Sequence, residues 1–122
     1  MREDLAAWQK LNVTAFLSGG LAGCYREMVG ERYSDASGGD YGPLVRQPIL
    51  VFTGAKEELA RSLTRARDRG IMPSIYTVDL FRTFNRAAVA GVSTSELDLA
   101  GIALYGQRKL VDKVIKGLKL HP

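Results

Sequence analysis

Three side chains that could take part in chemistry stand within five residues of one another: Asp79, Arg82 and Thr83. A carboxylate can orient or activate water, a guanidinium can bind phosphate, and a hydroxyl can hydrogen-bond to either group. The same aspartate could instead cap a following helix and pair with Arg82, because aspartate is a preferred N-cap residue. These residues alone leave both interpretations open.

The chain around them predicts a strand, a helix and a second strand. Residues 49–52 form a short apolar run, and residues 73–78 form another that is enriched in β-branched side chains. Between them, residues 57–69 carry apolar side chains at helical spacing, and Gly70 stands where a C-cap glycine belongs. Ligand sites of open α/β sheets gather beyond the carboxyl ends of strands, so Asp79 falls where a site is expected.

A helix is also predicted near the start of the chain, from Asn12 as its N-cap to Gly30. Gly19, Gly20 and Gly23 weaken this helix by roughly 1 kcal/mol each relative to alanine. Close packing against another backbone would accommodate them, so we expect the helix to lie tightly on the sheet.

The remaining pattern completes one domain. Residues 30–46 predict an irregular connection, and residues 85–91 continue as helix or loop. Residues 99–106 predict a strand, and residues 107–118 predict an amphipathic helix with one apolar and one basic face.

Composition is that of a globular domain, with 46% hydrophobic and 25% charged residues in 122. The net charge of +4 permits a polyanionic partner, but it fits equally well a protein with a few spare lysines. The single cysteine, Cys24, excludes an internal disulfide and a cysteine metal cluster, and we expect its thiol to be buried. No leader pattern is visible and no apolar run reaches the roughly 20 residues of a membrane span, so the cytoplasm is the expected location.

The C-terminal two thirds of the chain resembles the second class of peptidyl-tRNA hydrolase, the type found in archaea and eukaryotes. The matching features there are Gln47-Pro48, the helix start Glu57-Glu58-Leu59, Asp79 with Arg82-Thr83, and the ending Leu110 to Val114 with Gly117 to Leu120. At the N-terminus, Arg2, Asp4-Leu5 and Lys10 resemble the family's Arg-x-Asp-Leu motif and the lysine-bearing loop that follows it. An uncharacterised bacterial family that is predicted to share this fold is similar over nearly the whole chain, notably at residues 2–5, 8–16 and 116–122.

This resemblance implies a three-layer α/β fold for residues 1–122, with a small mixed four-stranded sheet flanked by helices, as in the class II peptidyl-tRNA hydrolases. The family's first strand precedes the Arg-x-Asp-Leu motif, which begins here at Arg2. We therefore expect that strand to be truncated or missing, which would leave a gap in the sheet.

The resemblance also implies a hydrolase of ester-linked peptidyl or acyl adducts, with Lys10, Asp79 and Thr83 as catalytic residues. Asp79 would orient the water, Lys10 would balance the charge of the tetrahedral intermediate, and Thr83 would hydrogen-bond to either one. The three side chains should then converge at one cleft. The family's histidine has no counterpart at residues 16–19, and residues 7–11 replace its glycine-flanked lysine loop. A non-catalytic module that uses the cleft for a small molecule or a protein is therefore the alternative.

Candidate binding residues are Asp4, Arg82, Lys113 and Lys116. Asp4 could form an ion pair with Arg2 beside the cleft or serve structure alone. The basic helix residues could contact a tRNA or another nucleotide-linked substrate, although a charge run is also typical of a solvated helix face.

No metal site and no cofactor are expected. The only histidine, His121, is penultimate, and we expect it to lie in a solvent-exposed tail. A homodimer is expected because a truncated first strand would leave sheet edge to cover.

Overall fold

Antiparallel pairs of short strands organise the fold, which a computed structural model describes over residues 1–83 and 89–122. The elements in chain order are α1 (Ala7–Cys24), β1 (Tyr33–Ser34), β2 (Asp40–Tyr41), β3 (Phe52–Thr53), α2 (Lys56–Asp68), β4 (Ser74–Thr77), α3 (Leu80–Thr83), β5 (Leu99–Ala103), α4 (Arg108–Val114) and β6 (Lys119–Leu120). Short 3₁₀ turns lie at Arg26–Met28 and Thr94–Glu96. Most of the helix or loop predicted at residues 85–91 falls outside the described residues.

The strands form three two-stranded antiparallel sheets, β1–β2, β3–β6 and β4–β5. The longest pair, β4–β5, aligns Ile75 with Ile102 and has an irregularity between Tyr76 and Thr77. The chain is therefore mixed α/β, as predicted, but the single four-stranded mixed sheet is not what the described residues form. The strands are too short for such a sheet, because β3 and β6 each contribute only two residues to a ladder.

Residues 1–3 join two of these sheets through backbone hydrogen bonds. The Met1 amine donates to Phe52 O (2.7 Å), and Gly54 N–H donates to Met1 O (3.2 Å). On the other side, Arg2 N–H donates to Ala100 O (2.9 Å). This segment thus lies between β3 and β5 in the position of a very short strand.

Helices cover both faces of the β4–β5 sheet. The neighbouring residues Ile75 and Tyr76 point to opposite faces, as strand geometry requires, and each joins a different core cluster. The cluster on the α1 side contains Val13, Leu17, Tyr76 and Ala100, the one on the α2 side contains Leu59, Leu63 and Leu99, and a third between α2 and α4 contains Ala66, Ile71 and Val114.

The first helix begins six residues earlier than the sequence predicts, with Ala6 rather than Asn12 as its N-cap. Gln9 Oε1 accepts the N–H of Ala6 (2.9 Å), which satisfies a backbone donor at the helix start. Asn12, the predicted cap, lies inside the helix and donates from Nδ2 to the hydroxyl of Tyr76 (3.4 Å). Cys24, predicted to be buried, is exposed at the end of α1.

The expected tight packing through the helix glycines is also wrong. A Cβ atom on Gly19, Gly20 or Gly23 would meet nothing within 4 Å. The close approach occurs instead on the sheet, where a Cβ on Gly101 would lie 2.5 Å from Val13 Cγ1.

The prediction of α2 is confirmed almost to the residue, and Gly70 follows it with a left-handed φ of 68°. By contrast, α4 ends at Val114 rather than at residue 118. Gly117, with φ of 97°, then turns the chain back into β6. The predicted irregular connection at residues 30–46 contains the β1–β2 hairpin, whose turn is held by Asp35 accepting the N–H groups of Ser37 and Gly39.

Candidate functional site

A lysine and the only histidine of the chain meet at one half-buried point. Lys10 Nζ lies 3.3 Å from His121 Nε2, although 111 residues separate them. Lys10 stands one turn into α1, and His121 directly follows β6. The expectation that His121 lies in a solvent-exposed tail is therefore wrong.

The β3–β6 ladder positions the histidine. Phe52 pairs with Leu120, and the next backbone bond runs from His121 N–H to Val51 O (2.8 Å). The apolar residues Leu118 and Leu120 stand on either side of the polar Lys119, and this alternation of apolar and polar residues is typical of a strand. That local pattern could have indicated β6, but it carries no information about the contact with Lys10.

The contact of the second ring nitrogen of His121 indicates which nitrogen carries the proton. Nδ1 lies 2.7 Å from the Pro122 oxygen, which can only accept a hydrogen bond. An imidazole that donates from Nδ1 presents a lone pair on Nε2, and the Lys10 ammonium can donate to it. The pair therefore combines a proton acceptor with a cation, the two groups that ester hydrolysis needs for water activation and for the oxyanion.

The Met1 amine belongs to the same neighbourhood. Burial, and to a smaller extent the charge of Lys10, lowers the pKa of this amine from 8.0 to about 6. Lys10 also acts electrostatically on Asp4, whose pKa is lowered chiefly by its hydrogen bond to Arg2. Lys10 is therefore close enough to the first residues of the chain to act on the charges of both groups.

The contacts of the described residues do not join Lys10 to Asp79. On α1, Trp8 and Lys10 point about 160° apart, because each helical residue turns the chain by about 100°. Trp8 packs its ring edge against Phe81, with centroids 5.7 Å apart, whereas Lys10 reaches His121. Trp8 thus faces α3, on which Thr83 lies, whereas Lys10 faces His121; the convergence of Lys10, Asp79 and Thr83 at one cleft stays a prediction.

Asp79 itself is exposed, just before α3. Its backbone oxygen accepts the N–H groups of Arg82 (3.0 Å) and Thr83 (3.2 Å), and Thr83 Oγ1 donates to it as well (3.3 Å). Within the described residues, the carboxylate of Asp79 has no hydrogen bond or ion pair.

Arg2 organises a charged cluster at the end of the sheet. Its guanidinium binds Asp4 at 2.6 Å and Asp98 at 2.8 Å, and Lys56 Nζ lies 3.4 Å from Asp98. The hydrogen bond with Asp4 raises the pKa of Arg2 and lowers that of Asp4. The cluster contains two positive and two negative side chains, so its charges balance, and a role of Asp4 in binding stays a prediction.

The other predicted binding residues are exposed. Arg82 lies on α3, and Lys113 and Lys116 lie on and just after α4. Lys116 contributes its backbone oxygen to Arg65 Nη1 (2.7 Å), which links the basic sides of α2 and α4.

The described residues hold no group of three or more His, Cys, Asp or Glu side chains that could bind a metal ion. In the same part of the chain, every helix is too short or too polar to cross a membrane.

Comparison with known proteins gives a family and a structural relative. The profile of a family described as "Protein of unknown function (DUF2000)" matches residues 1–122. The solved structure of the protein of unknown function Atu0240 from Agrobacterium tumefaciens strain C58 is 42% identical, with a TM-score of 0.94, over 100% of this chain and 93% of that one. No curated protein matches the sequence. These matches support the fold and the uncharacterised family, and they contain no link to peptidyl-tRNA hydrolase.

Proposed function

Because the chain belongs to the DUF2000 family, whose function is not established, we propose from its own geometry that it hydrolyses an ester-linked peptidyl or acyl adduct. The observation that carries the proposal is the 3.3 Å contact between Lys10 Nζ and His121 Nε2. It pairs a cation with a proton acceptor at a half-buried position, where charges act more strongly than in bulk water.

The proposed reaction uses both groups. An ester carbonyl draws the Lys10 ammonium toward its oxygen and so frees Nε2 of His121. The imidazole takes a proton from water as the water oxygen bonds to the carbonyl carbon, and Lys10 balances the resulting oxyanion. The ester C–O bond then breaks, and the imidazolium returns the proton to the leaving alcohol oxygen.

Turnover of an N-acetylaminoacyl-tRNA and of a simple acyl ester tests the proposal. Lys10→Met and His121→Asn should each lower kcat by about 100-fold or more, the usual range for loss of acid–base catalysis. The matched control is Lys109→Met, which replaces an exposed lysine of α4. Its kcat should stay within about twofold of that of the unmodified protein, a far smaller change than the loss expected for the two catalytic residues. Circular dichroism confirms that each variant is folded.

The assay also separates the proposal from its alternatives. If the unmodified protein turns over neither substrate, the non-catalytic binding module is favoured. If Asp79→Asn and Thr83→Val abolish turnover while His121→Asn does not, the catalytic group is the sequence-based one around Asp79. Turnover of the tRNA substrate alone would favour the peptidyl-tRNA hydrolase type.

A tRNA partner and a homodimer remain proposals of the same kind. Replacing Lys113 and Lys116 by glutamate should weaken tRNA binding and reduce its dependence on salt, because each phosphate contact releases counterions. Light scattering at several protein concentrations tests the dimer.

A further inference from the structure

The side of α1 that points away from the sheet is uncharged along its whole length. Lys10 is the one charged residue of this helix, and it reaches His121. Val13, Leu17 and Leu21 are the buried residues of α1 and mark the side that faces the core. Each residue turns a helix by about 100°, so residues 8, 11, 15, 19 and 22 fall within about 80° of one another on the opposite side. These five residues form the α1 face: Trp8, Leu11, Ala15, Gly19 and Ala22.

The two large side chains of the α1 face are exposed. Trp8 is 60% exposed, although one edge of its ring packs on Phe81, and Leu11 is 73% exposed. Single exposed apolar side chains are ordinary on a protein surface. A contiguous apolar face without charges is instead typical of a protein interaction site.

The space above the small residues of α1 is open. A Cβ atom on Gly19 or Gly23 would meet nothing within 4 Å. Glycine inside a helix lowers its stability relative to alanine, and packing within the described residues does not offset that loss here. Glycine also lets another chain approach the helix backbone closely, so the space above Gly19 can receive a large side chain of a partner.

Large and small residues are placed symmetrically about Ala15. Leu11 lies four residues before Ala15, and Gly19 lies four residues after it. Trp8 and Ala22 lie seven residues before and after the same point. When a second α1 crosses the first at Ala15 in the opposite direction, each large residue therefore meets a small one: Leu11 lies over Gly19, and Trp8 lies over Ala22. A contact in which both copies use the same patch closes as a twofold dimer.

The area of the α1 face is sufficient for a dimer. The 18 residues of α1 give a length of about 27 Å. With a helix diameter of about 10–12 Å, the outward side presents roughly 500–600 Å² of accessible surface in each copy. Two copies thus bury roughly 1,000–1,200 Å², which is at the lower end of the range for specific interfaces. Like charges do not oppose the contact, because the α1 face carries none.

We propose that two copies of this chain form a twofold dimer in which their α1 faces pack antiparallel, with Ala15 at the axis. The small contact area corresponds to a dissociation constant in the micromolar range. Lys10 lies about 140° around the helix from Ala15, so the dimer leaves the contact between Lys10 and His121 open. The dimer goes beyond the proposed hydrolase, which does not depend on it.

A partner of different sequence explains the α1 face less well. It could cover Trp8 and Leu11, but it would not require large and small residues at equal distances from Ala15. A second copy accounts for the exposed apolar residues, the open space at Gly19 and the symmetry of their placement together. It also differs from a dimer through a sheet edge, because the contact is made by a helix.

Sedimentation equilibrium over protein concentrations of about 1–500 µM measures the dimer. Gly19→Met fills the space that receives Leu11 and should raise the dimer Kd by about 10-fold or more, because overpacking is unfavourable. The matched control is Gly20→Met, which points about 100° away from Gly19 and should leave Kd within about twofold. A Cβ at either glycine meets nothing within 4 Å, so both variants should fold.

Cross-linking tests the direction of the two helices. Ala15→Cys in a Cys24→Ser background should oxidise to a disulfide-linked dimer, because the two residues meet at the axis. Ala60→Cys in the same background replaces an exposed alanine of α2, and it should stay largely monomeric. In the unmodified protein the antiparallel arrangement separates the two Cys24 residues by about 27 Å, so they should not cross-link.

Three results would overturn the proposal. The first is a protein that stays monomeric up to about 500 µM, which would leave the α1 face to a different partner. The second is a dimer that Gly19→Met and Gly20→Met weaken equally, or that neither weakens, because its interface would then lie elsewhere. The third is efficient cross-linking through Cys24, which would indicate parallel helices.

Discussion

Arg2 and Asp98, which lie 96 residues apart in the chain, are joined by a hydrogen bond of 2.8 Å between Nη1 and Oδ1. The same guanidinium binds Asp4 through Nε (2.9 Å) and Nη2 (2.6 Å). The side chain of Arg2 is only 19% exposed. Residues 1–3 connect β3 with β5 through backbone hydrogen bonds. The side chain of Arg2 binds these first residues to Asp98, which directly precedes β5.

Arg2→Met should lower the free energy of unfolding by about 1–3 kcal/mol. The substitution keeps much of the side-chain volume, but it leaves Lys56 as the one remaining ion-pair partner of Asp98 among the described residues. Removal of one partner from a partly buried ion pair destabilises the folded protein, because the other charge stays buried. Urea unfolding followed by circular dichroism measures the change.

The matched control for this prediction is Arg108→Met. Arg108 and Asp112 form an i,i+4 pair at 3.8 Å, and both side chains are largely exposed. Such a pair contributes about 0.3–0.5 kcal/mol. Equal effects of the two substitutions would show that Arg2 does not fasten the N-terminal segment.

Gly101→Ala should destabilise the protein by about 1–3 kcal/mol. The added methyl group would lie 2.5 Å from Val13 Cγ1 and 3.1 Å from Leu17 Cδ1, and overpacking of a core usually has a cost of this size. Gly20→Ala is the control, because its methyl group meets nothing within 4 Å and should raise helix stability by about 1 kcal/mol. Thermal unfolding distinguishes them, since the two substitutions should shift Tm in opposite directions.

Thr77→Val should raise the free energy of unfolding by about 1 kcal/mol. Thr77 is 1% exposed, and its Oγ1 has no partner among the described residues, so the hydroxyl is buried at a cost that valine removes. Thr14→Val is the comparison, because Thr14 Oγ1 donates to Lys10 O (2.8 Å) and its loss should be destabilising. A destabilised Thr77→Val would indicate that water or a ligand satisfies this hydroxyl.

Periodic patterns predicted the elements that depend on local sequence. The helix at residues 57–69 appears as Lys56–Asp68, and the strand at residues 99–106 appears as Leu99–Ala103. Residues 49–51 were predicted as strand by their apolar character, yet β3 begins at Phe52. A strand needs a partner as well as a suitable sequence, and residues 49–50 border a cavity of about 780 Å³ rather than another ladder.

The candidate site was harder to predict for a similar reason. By resemblance, Lys10 was predicted to act with Asp79 and Thr83, and the contact that it makes with His121 was not predicted. Its contact with His121 depends on β3–β6 pairing and on the helix face that Lys10 occupies, and neither is visible around a single penultimate histidine. Whether Asp79 and Thr83 react is a prediction that the experiments above address.

The buried amine of Met1 predicts a dependence of stability on pH. Its pKa is about 6 in the folded protein and 8.0 for an ordinary amine, so the unfolded chain binds more protons between these values. Stability should therefore rise with pH through this window, and about 2 kcal/mol present at pH 8.5 should be lost as the pH falls to 5.5. Urea unfolding at intervals of half a pH unit measures the slope.

Lys10 defines the first control, because its charge helps to lower the pKa of the amine and Lys10→Met removes that charge. Acetylation of the amine removes the titrating group itself and should flatten the slope. A slope that survives acetylation would have to come from another group, and Met1 would then make no contribution to it.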